Sequence, residues 1–320
     1  MVSYCQYFPT CGGCDFRDKT YVEQLEYKEK FCRNLLARFS VRDFLPIIPS
    51  PHTDYYRHKM DFCAGIAQNG ILLGLRQKNR SLAVVDIKDC QVFFKGLEQI
   101  LEIFRIWAKD YSVLAYELYK RSGEFRYASL RHSKSSGKVM VVGVFALSPD
   151  EFFAQNQKFQ DLAGRLQNIP EVASIYICLN NKISDETLSD DLRLWSGEKS
   201  IKEKINGIDY LSNPMVFLQS NPLACAKLYE VIKQEAISCA GGGDVLDMYC
   251  GSGGITLQLA QISGKIKAVD NSQRNIEDAR ENAKLNGINN IEFICEDAED
   301  FLSKAKFREF STLILDPPRQ

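Results

Sequence analysis

The sequence predicts an α/β chain in two parts, an α+β domain followed by a doubly wound sheet of parallel strands, and three observations carry the prediction. From about Pro214 onward, short apolar runs alternate with helical segments, the rhythm of consecutive β-α-β units. One of those runs, Asp244 to Met248, opens straight into the glycine-rich stretch Tyr-Cys-Gly-Ser-Gly-Gly at 249–254. Ahead of Pro214 the apolar runs are instead parted by turn signals such as Gln68-Asn69-Gly70, as antiparallel strands are. The expected domains are therefore 1–213 and 214–320.

Composition sets the outer limits. With 320 residues, 45% hydrophobic and 25% charged, the chain has room for two buried cores. Lys plus Arg 40 against Asp plus Glu 41 gives a net charge of -1, so any nucleic-acid binding must rest on a local patch. No apolar run approaches the ~18 residues of a membrane span, and the N-terminus has no basic stretch leading into an apolar one. A cytoplasmic monomer with no membrane partner is expected. Eleven cysteines without a secretion signal suit reduced thiols or metal ligands better than disulfides.

In chain order, Thr20 to Phe39 reads as a helix, with Tyr21, Leu25, Tyr27, Phe31 and Leu35 approximating one face. Strands follow around 55–64, 71–75 and 82–86. Residues 91–119 turn helical, with Leu97, Ile100, Leu101, Phe104 and Trp107 on one stripe. Strands at 125–130 and 139–147, joined through Ser133 to Gly137, lead to a helix over 149–166 and a β-branched strand at 172–179. Acidic residues from Asp185 to Asp191 form a solvated loop, and Asn206-Gly207 offers a hairpin turn. Asn221-Pro222 is an N-cap and first-turn signal for a helix to about Ile237. Strands at 244–248, 266–270, 291–295 and 312–315, with helices at 256–262 and 273–285 between them, complete the second part.

A glycine turn at a strand end lets backbone approach a ligand, and a carboxylate ending the next strand accepts hydrogen bonds from ribose hydroxyls. Gly251, Gly253 and Asp270 fill those roles. With Asp316-Pro-Pro-Arg319 behind the fourth strand, the pattern points to S-adenosylmethionine and methyl transfer on a Rossmann-like domain. A nicotinamide cofactor fits less well, because Thr256 stands where G-x-G-x-x-G has its third glycine. Asp297 is placed to pair with the adenine amino group, and Asp316 faces the point where methyl donor and acceptor meet. Tyr249 is placed to pack against adenosine, with core packing as the plainer role. Gln219 precedes the first helix and is placed to close over the methionine end, a plain polar cap being its alternative.

The cysteines fall into two sets. Cys5, Cys11 and Cys14 are spaced x5 and x2, with Gly12 and Gly13 permitting a tight wrap, and Cys90 is the best candidate for a fourth ligand. Four thiolates suit a [4Fe-4S] cluster or a structural zinc, with no metal as the third reading. Two runs combine cations and aromatics as candidate RNA-binding patches: 57–80, and 120–138 with Lys120, Arg121, Arg126, Arg131, Lys134 and Lys138. An ordinary solvated face is the alternative for both.

Taken together, Cys5-x5-Cys11-Gly-Gly-Cys14 with Cys90, Phe217-x-Gln219-x-Asn221, Asp247-x-x-Cys250-Gly251-x-Gly253 and Asp316-Pro-Pro-Arg319 resemble the uracil-C5 RNA methyltransferases that form 5-methyluridine. The resemblance spans essentially the whole chain. It implies S-adenosylmethionine contacts from Gln219, Tyr249, Asp270 and Asp316 with Asp297 nearby, and a [4Fe-4S] cluster on Cys5, Cys11, Cys14 and Cys90. It further implies the branch acting on 23S ribosomal RNA, without an N-terminal β-barrel (TRAM) domain; transfer-RNA relatives are the alternative, as is an RNA-binding module retaining an incomplete cofactor domain. Gly254 departs from relatives with a polar side chain there. In the family a cysteine thiolate adds to carbon 6 of uracil and a glutamate removes the carbon-5 proton. Both are expected beyond Gln320, so no catalytic residue is assigned within the chain, Cys250 is given a packing role, and the 320 residues alone are expected to lack turnover.

Overall fold

The structure, a computed structural model, describes residues 5–41, 43–68, 70–240, 243–304 and 309–317. They form two compact units, one spanning 1–132 and 139–198, the other 133–138 and 199–320.

The first unit opens with helix α1 (Tyr21–Leu36), started by a capping box in which Thr20 and Glu23 bond each other's backbone N–H. The helix forms where expected, but none of its residues is buried; Tyr27, Phe31 and Leu35 stay more than half exposed. A seven-stranded sheet follows, built from β1 (Lys59–Ala67), β2 (Gly70–Gln77), β3 (Arg80–Asp86), β4 (Phe125–His132), β5 (Val139–Phe145), β6 (Val172–Leu179) and β7 (Leu192–Gly197), in the order β3-β2-β1-β4-β5-β6-β7. All neighbours are antiparallel except β5 and β6, which the helices α3 (Pro149–Ala154) and α4 (Asn156–Gln167) connect.

Alternate residues of the strands, among them Phe62, Leu73, Leu130, Val141 and Ile177, share one core with the apolar stripe of α2 (Leu97–Asp110). Helix α2 is shorter than 91–119. Gly96 at φ +103° starts it, and Ser112 at φ +53° turns the chain away behind it. The segment 149–166 is likewise two helices, broken where Gln155 leaves helical geometry at φ -109°, ψ +16°. Trp107 is fully buried among the rings of Phe125, Phe145 and Phe159, and its indole N–H donates to the Lys158 carbonyl at 2.7 Å.

The second unit begins ahead of Pro214, with the hairpin β8 (Ile201–Ile205) and β9 (Ile208–Ser212) turning through Asn206 and Gly207, both at positive φ. Helix α5 (Pro222–Ala240) starts at the expected cap, where Asn221 Oδ1 accepts from the Ala224 N–H at 3.0 Å. Strands β10 (Val245–Met248), β11 (Ile266–Asp270), β12 (Ile291–Cys295) and β13 (Thr312–Leu315) form a parallel sheet ordered β12-β11-β10-β13. Helices α6 (Gly254–Leu259), α7 (Gln273–Leu285) and α8 (Ala298–Lys304) punctuate it. β7, the strands of the hairpin and α8 lay outside the sequence expectation, being too short to show a full period. Among the described residues no helix is long and apolar enough to cross a membrane.

Trp107→Ala is expected to lower the unfolding free energy by about 3–5 kcal/mol, and Trp107→Phe by less, read by chemical denaturation. A loss under about 1 kcal/mol for the alanine variant would mean that Trp107 does not centre this core.

Candidate active site

The parallel register sets the site. Met248 pairs with Val269 on one side and Leu315 on the other, so Tyr249, Asp270 and Asp316 leave the sheet at one level. Chain order reverses at β10, with β11 to one side and β13 to the other, which opens a ligand-bearing crevice at the C-terminal ends of the strands.

The turn behind β10 has Tyr249, Gly251 and Gly253 at φ +62°, +55° and +85°. A Cβ on Gly253 would stand 2.3 Å from the Leu257 side chain, so glycine is required there twice over. At Gly251 a Cβ would meet nothing within 4 Å: the space beside that peptide is open. Gly254 has a local reason of its own, since a Cβ would fall 2.4 Å from the Tyr229 hydroxyl.

Asp270 is held by three hydrogen bonds from its own neighbourhood. Its Oδ2 accepts from the Gly251 N–H at 2.9 Å, and Oδ1 accepts from the Ser272 N–H at 2.9 Å and Asn275 Nδ2 at 3.0 Å. Asp316 is exposed immediately past β13. Tyr249 is half-buried and packs on the Leu246, Met248 and Val269 cluster. Asp297 is exposed at the start of α8, where its Oδ1 accepts from the Glu299 N–H at 2.9 Å in the manner of a helix cap. Gln219 is half-buried on a segment tied to the turn, for Ser252 Oγ donates to the Phe217 carbonyl at 3.2 Å. Pro318 and Arg319 lie outside the described residues.

Sequence reading missed the groups beneath the turn. Asn282, fully buried on α7, donates from Nδ2 to the Ser252 carbonyl at 3.0 Å and accepts at Oδ1 from the Leu211 N–H of the hairpin at 2.8 Å. Tyr210 donates to the Gly254 carbonyl at 2.9 Å. Asp247, a carboxylate in the middle of an apolar strand, accepts from Thr256 Oγ1 at 2.5 Å. Burial pushes its pKa up to about 7, against the Thr256 bond and with help from the charges of Asp316 and Asp270. A buried acid inside Val-Leu-Asp-Met was the available signal for this lock. Cys250 packs with Ala268 and Ile276, and burial, with Asp247 and Asp270 nearby, raises its thiol pKa.

In the first unit, Cys5, Cys11, Cys14 and Cys90 line one small pocket beside Leu75 and Val92. Burial raises the thiol of Cys11 and pushes that of Cys90 to about 11, which favours the protonated forms. Among the described residues no group of three or more His, Cys, Asp or Glu side chains is arranged to hold a metal ion. The expected [4Fe-4S] cluster on these four cysteines, and the structural zinc weighed beside it, therefore find no ligand set.

Because folding raises the Asp247 pKa from its ordinary 3.8, its contribution to stability is full below that value and is lost as pH climbs through about 7. Asp247→Asn keeps an acceptor for Thr256 and is expected to flatten the fall in stability between about pH 4 and about pH 7, measured by denaturation across that range. An unchanged pH profile would show that Asp247 is not the group that titrates.

Residues 240–316 match a family model described as a methyltransferase domain. The chain is 30% identical over 315 residues to the tRNA (uracil(54)-C(5))-methyltransferase of Pyrococcus furiosus, covering 98% of this chain and 69% of that one. An uncharacterized RNA methyltransferase of Clostridium tetani is 29% identical over 319 residues, with 98% and 69% covered. The crystal structure of Pyrococcus abyssi tRNA (uracil-54, C5)-methyltransferase in complex with S-adenosyl-L-homocysteine superposes with a TM-score of 0.77 at 29% identity, over 97% of this chain and 70% of that one.

These likenesses correct the expected branch. The Pyrococcus relatives are named for tRNA, not 23S ribosomal RNA, and among the described residues the cysteine spacing that suggested the iron–sulfur branch does not close into a ligand set. 23S ribosomal RNA is therefore not carried forward as partner or substrate. The likeness runs over nearly all of the 320 residues and over about 70% of the relatives' own length. With the switch-point crevice, the glycine turn and the acidic strand ends in place, the chain is an S-adenosylmethionine-dependent RNA methyltransferase and belongs to the tRNA (uracil-54, C5)-methyltransferase family.

Proposed function

We propose that the protein methylates carbon 5 of a uridine in tRNA, the position-54 uridine for which its Pyrococcus relatives are named. The observation that carries the cofactor half of this reading is Asp270, held by the Gly251 N–H beside open space and level with Asp316 across the crevice. Asp270 would hold the ribose hydroxyls, Asp297 the adenine amino group through the oxygen not used in capping α8, and Tyr249 one side of the adenosine. Gln219 would close over the methionine end. When bound, S-adenosylmethionine supplies an electrophilic methyl group and positive charge, which suits an edge lined by Asp270 and Asp316. Asp316, last on the central crevice, would orient the uracil or the methyl donor where they meet.

Carbon 5 of uracil is a weak nucleophile until a thiolate adds to carbon 6. We assign that thiolate and the base to none of the described residues; burial keeps the Cys250 thiol protonated and it faces its own packing cluster. Eleven cysteines, ten of them free among the described residues, fit a reducing compartment, and we place the protein in the cytoplasm.

Titration calorimetry with S-adenosylmethionine tests the site separately from turnover. Asp270→Asn and Asp270→Ala are expected to weaken binding about 10- to 100-fold, the scale of lost hydrogen bonds to a charged group. Asn282→Ala is expected to weaken it roughly tenfold by releasing the Ser252 carbonyl. Binding unaltered in both Asp270 variants would remove that residue from the site. Labelled methyl is expected to enter a tRNA transcript with uridine at position 54 and not one with cytidine there; equal labelling of both would refute the substrate reading.

A further inference from the structure

Between α2 and β4 the chain makes a tight protrusion, residues 111–124, closed by bridges between Ala115 and Phe125 and between Glu117 and Ser122. The Glu117 N–H donates to the Ser122 carbonyl and the Arg121 N–H to that of Glu117, each at 2.8 Å. Gly123, at φ +86°, crosses so near Ala115 that a Cβ would stand 2.2 Å from its carbonyl oxygen, so only glycine lets the two limbs close. Beneath the protrusion the Arg126 guanidinium lies 5.0 Å from the centre of the Tyr116 ring. Arg126 is itself fixed, donating to the carbonyls of Asn180, Lys182 and Ser184 at 2.6–2.8 Å. The tip is thus a braced scaffold.

What the scaffold presents is unusual for a surface turn. Tyr119 is 79% exposed and Leu114 65%. Lys120, beside Tyr119, keeps 71% of its side chain exposed although it pairs with Glu117 at 2.8 Å, and Arg121 is exposed at φ +51°. Of the basic run at 120–138, Arg126 and Arg131 are buried, 4% and 3% exposed, so their charges are spent inside the fold and Lys120 and Arg121 are the ones offered at the tip.

We propose that Tyr119, Lys120 and Arg121 form a contact site for an unpaired segment of the tRNA substrate, Tyr119 stacking on a base while the two cations meet the flanking phosphates. This rests on the tRNA reading above. An exposed ring between cations matches the two faces of a single strand, a flat apolar base and a charged backbone. The exposed pair with Glu117 holds Lys120 weakly, so a phosphate displaces it readily. A rigid support also lowers the ordering cost of binding.

Fluorescence anisotropy with labelled tRNA, run as a salt series on the 320-residue chain, tests the proposal. Tyr119→Ala is expected to weaken binding about tenfold or more, with Tyr119→Phe retaining most of the affinity. Lys120→Gln with Arg121→Gln is expected to reduce the slope of log K against log salt by about 1.4. S-adenosylmethionine affinity should not change in any of these variants, which separates a docking defect from unfolding. Wild-type tRNA affinity in both the alanine and the double variant would overturn this site while leaving the tRNA reading intact. No tRNA binding by the unaltered chain would overturn both.

Discussion

The five residues from Tyr249 to Gly253 govern the catalytic unit, because their alternating positive φ angles determine where the chain leaves β10 and where α6 begins. Two glycines adopt this geometry without penalty; Tyr249 does so at a cost of about 1–3 kcal/mol, which surrounding structure must offset. The offset is visible in the carbonyls underneath. Ser252 is held by Asn282, Gly254 by Tyr210, and the Asp247–Thr256 bond ties the strand to the helix that follows. Since Asn282 also takes the Leu211 N–H, the hairpin at 201–212 belongs to the site's support and not to a separate module. This is why the compact unit starts before Pro214.

The same turn organises charge. Asp270 gains its orientation from the Gly251 N–H, so the peptide that borders open space also aims the carboxylate. Asp247 sits buried behind this edge; that burial is the main reason its pKa is raised, and the acids crowded at the strand ends, Asp316 and Asp270, add to it. A cationic ligand relieves that crowding, whereas a neutral or anionic one does not. The acidic edge therefore favours a sulfonium nucleoside on electrostatic grounds that are independent of shape.

The first unit follows a different logic. Its sheet buries one alternating set of residues against α2 and α4, and the cations that looked like a single basic patch are divided between buried positions on β4 and the exposed turn ahead of it. Arg126 braces a neighbouring turn from within, while Lys120 and Arg121 are carried outward at its tip. The cysteine pocket shows a similar shift in meaning. Spacing brings Cys5, Cys11, Cys14 and Cys90 to one place, yet burial and the packing of Leu75 and Val92 make the place apolar, and a shared pocket is not a ligand cage.

Local chemistry alone determined the strand and helix alternation after Pro214, the helix starts at Thr20, Ser148 and Asn221, and the glycine turn with Asp270 and Asp316 at the ends of separate strands. Periodicity, caps and left-handed glycines are written within a few residues of where they act, so they can be read without the fold. Tertiary structure decided what no short window contains: the exposed face of α1, the burial of Arg126 and Arg131, and the pairing of Asn282 with residues 71 and 30 positions away. Each of these depends on which remote surface a side chain meets, and a sequence records the side chain without the surface.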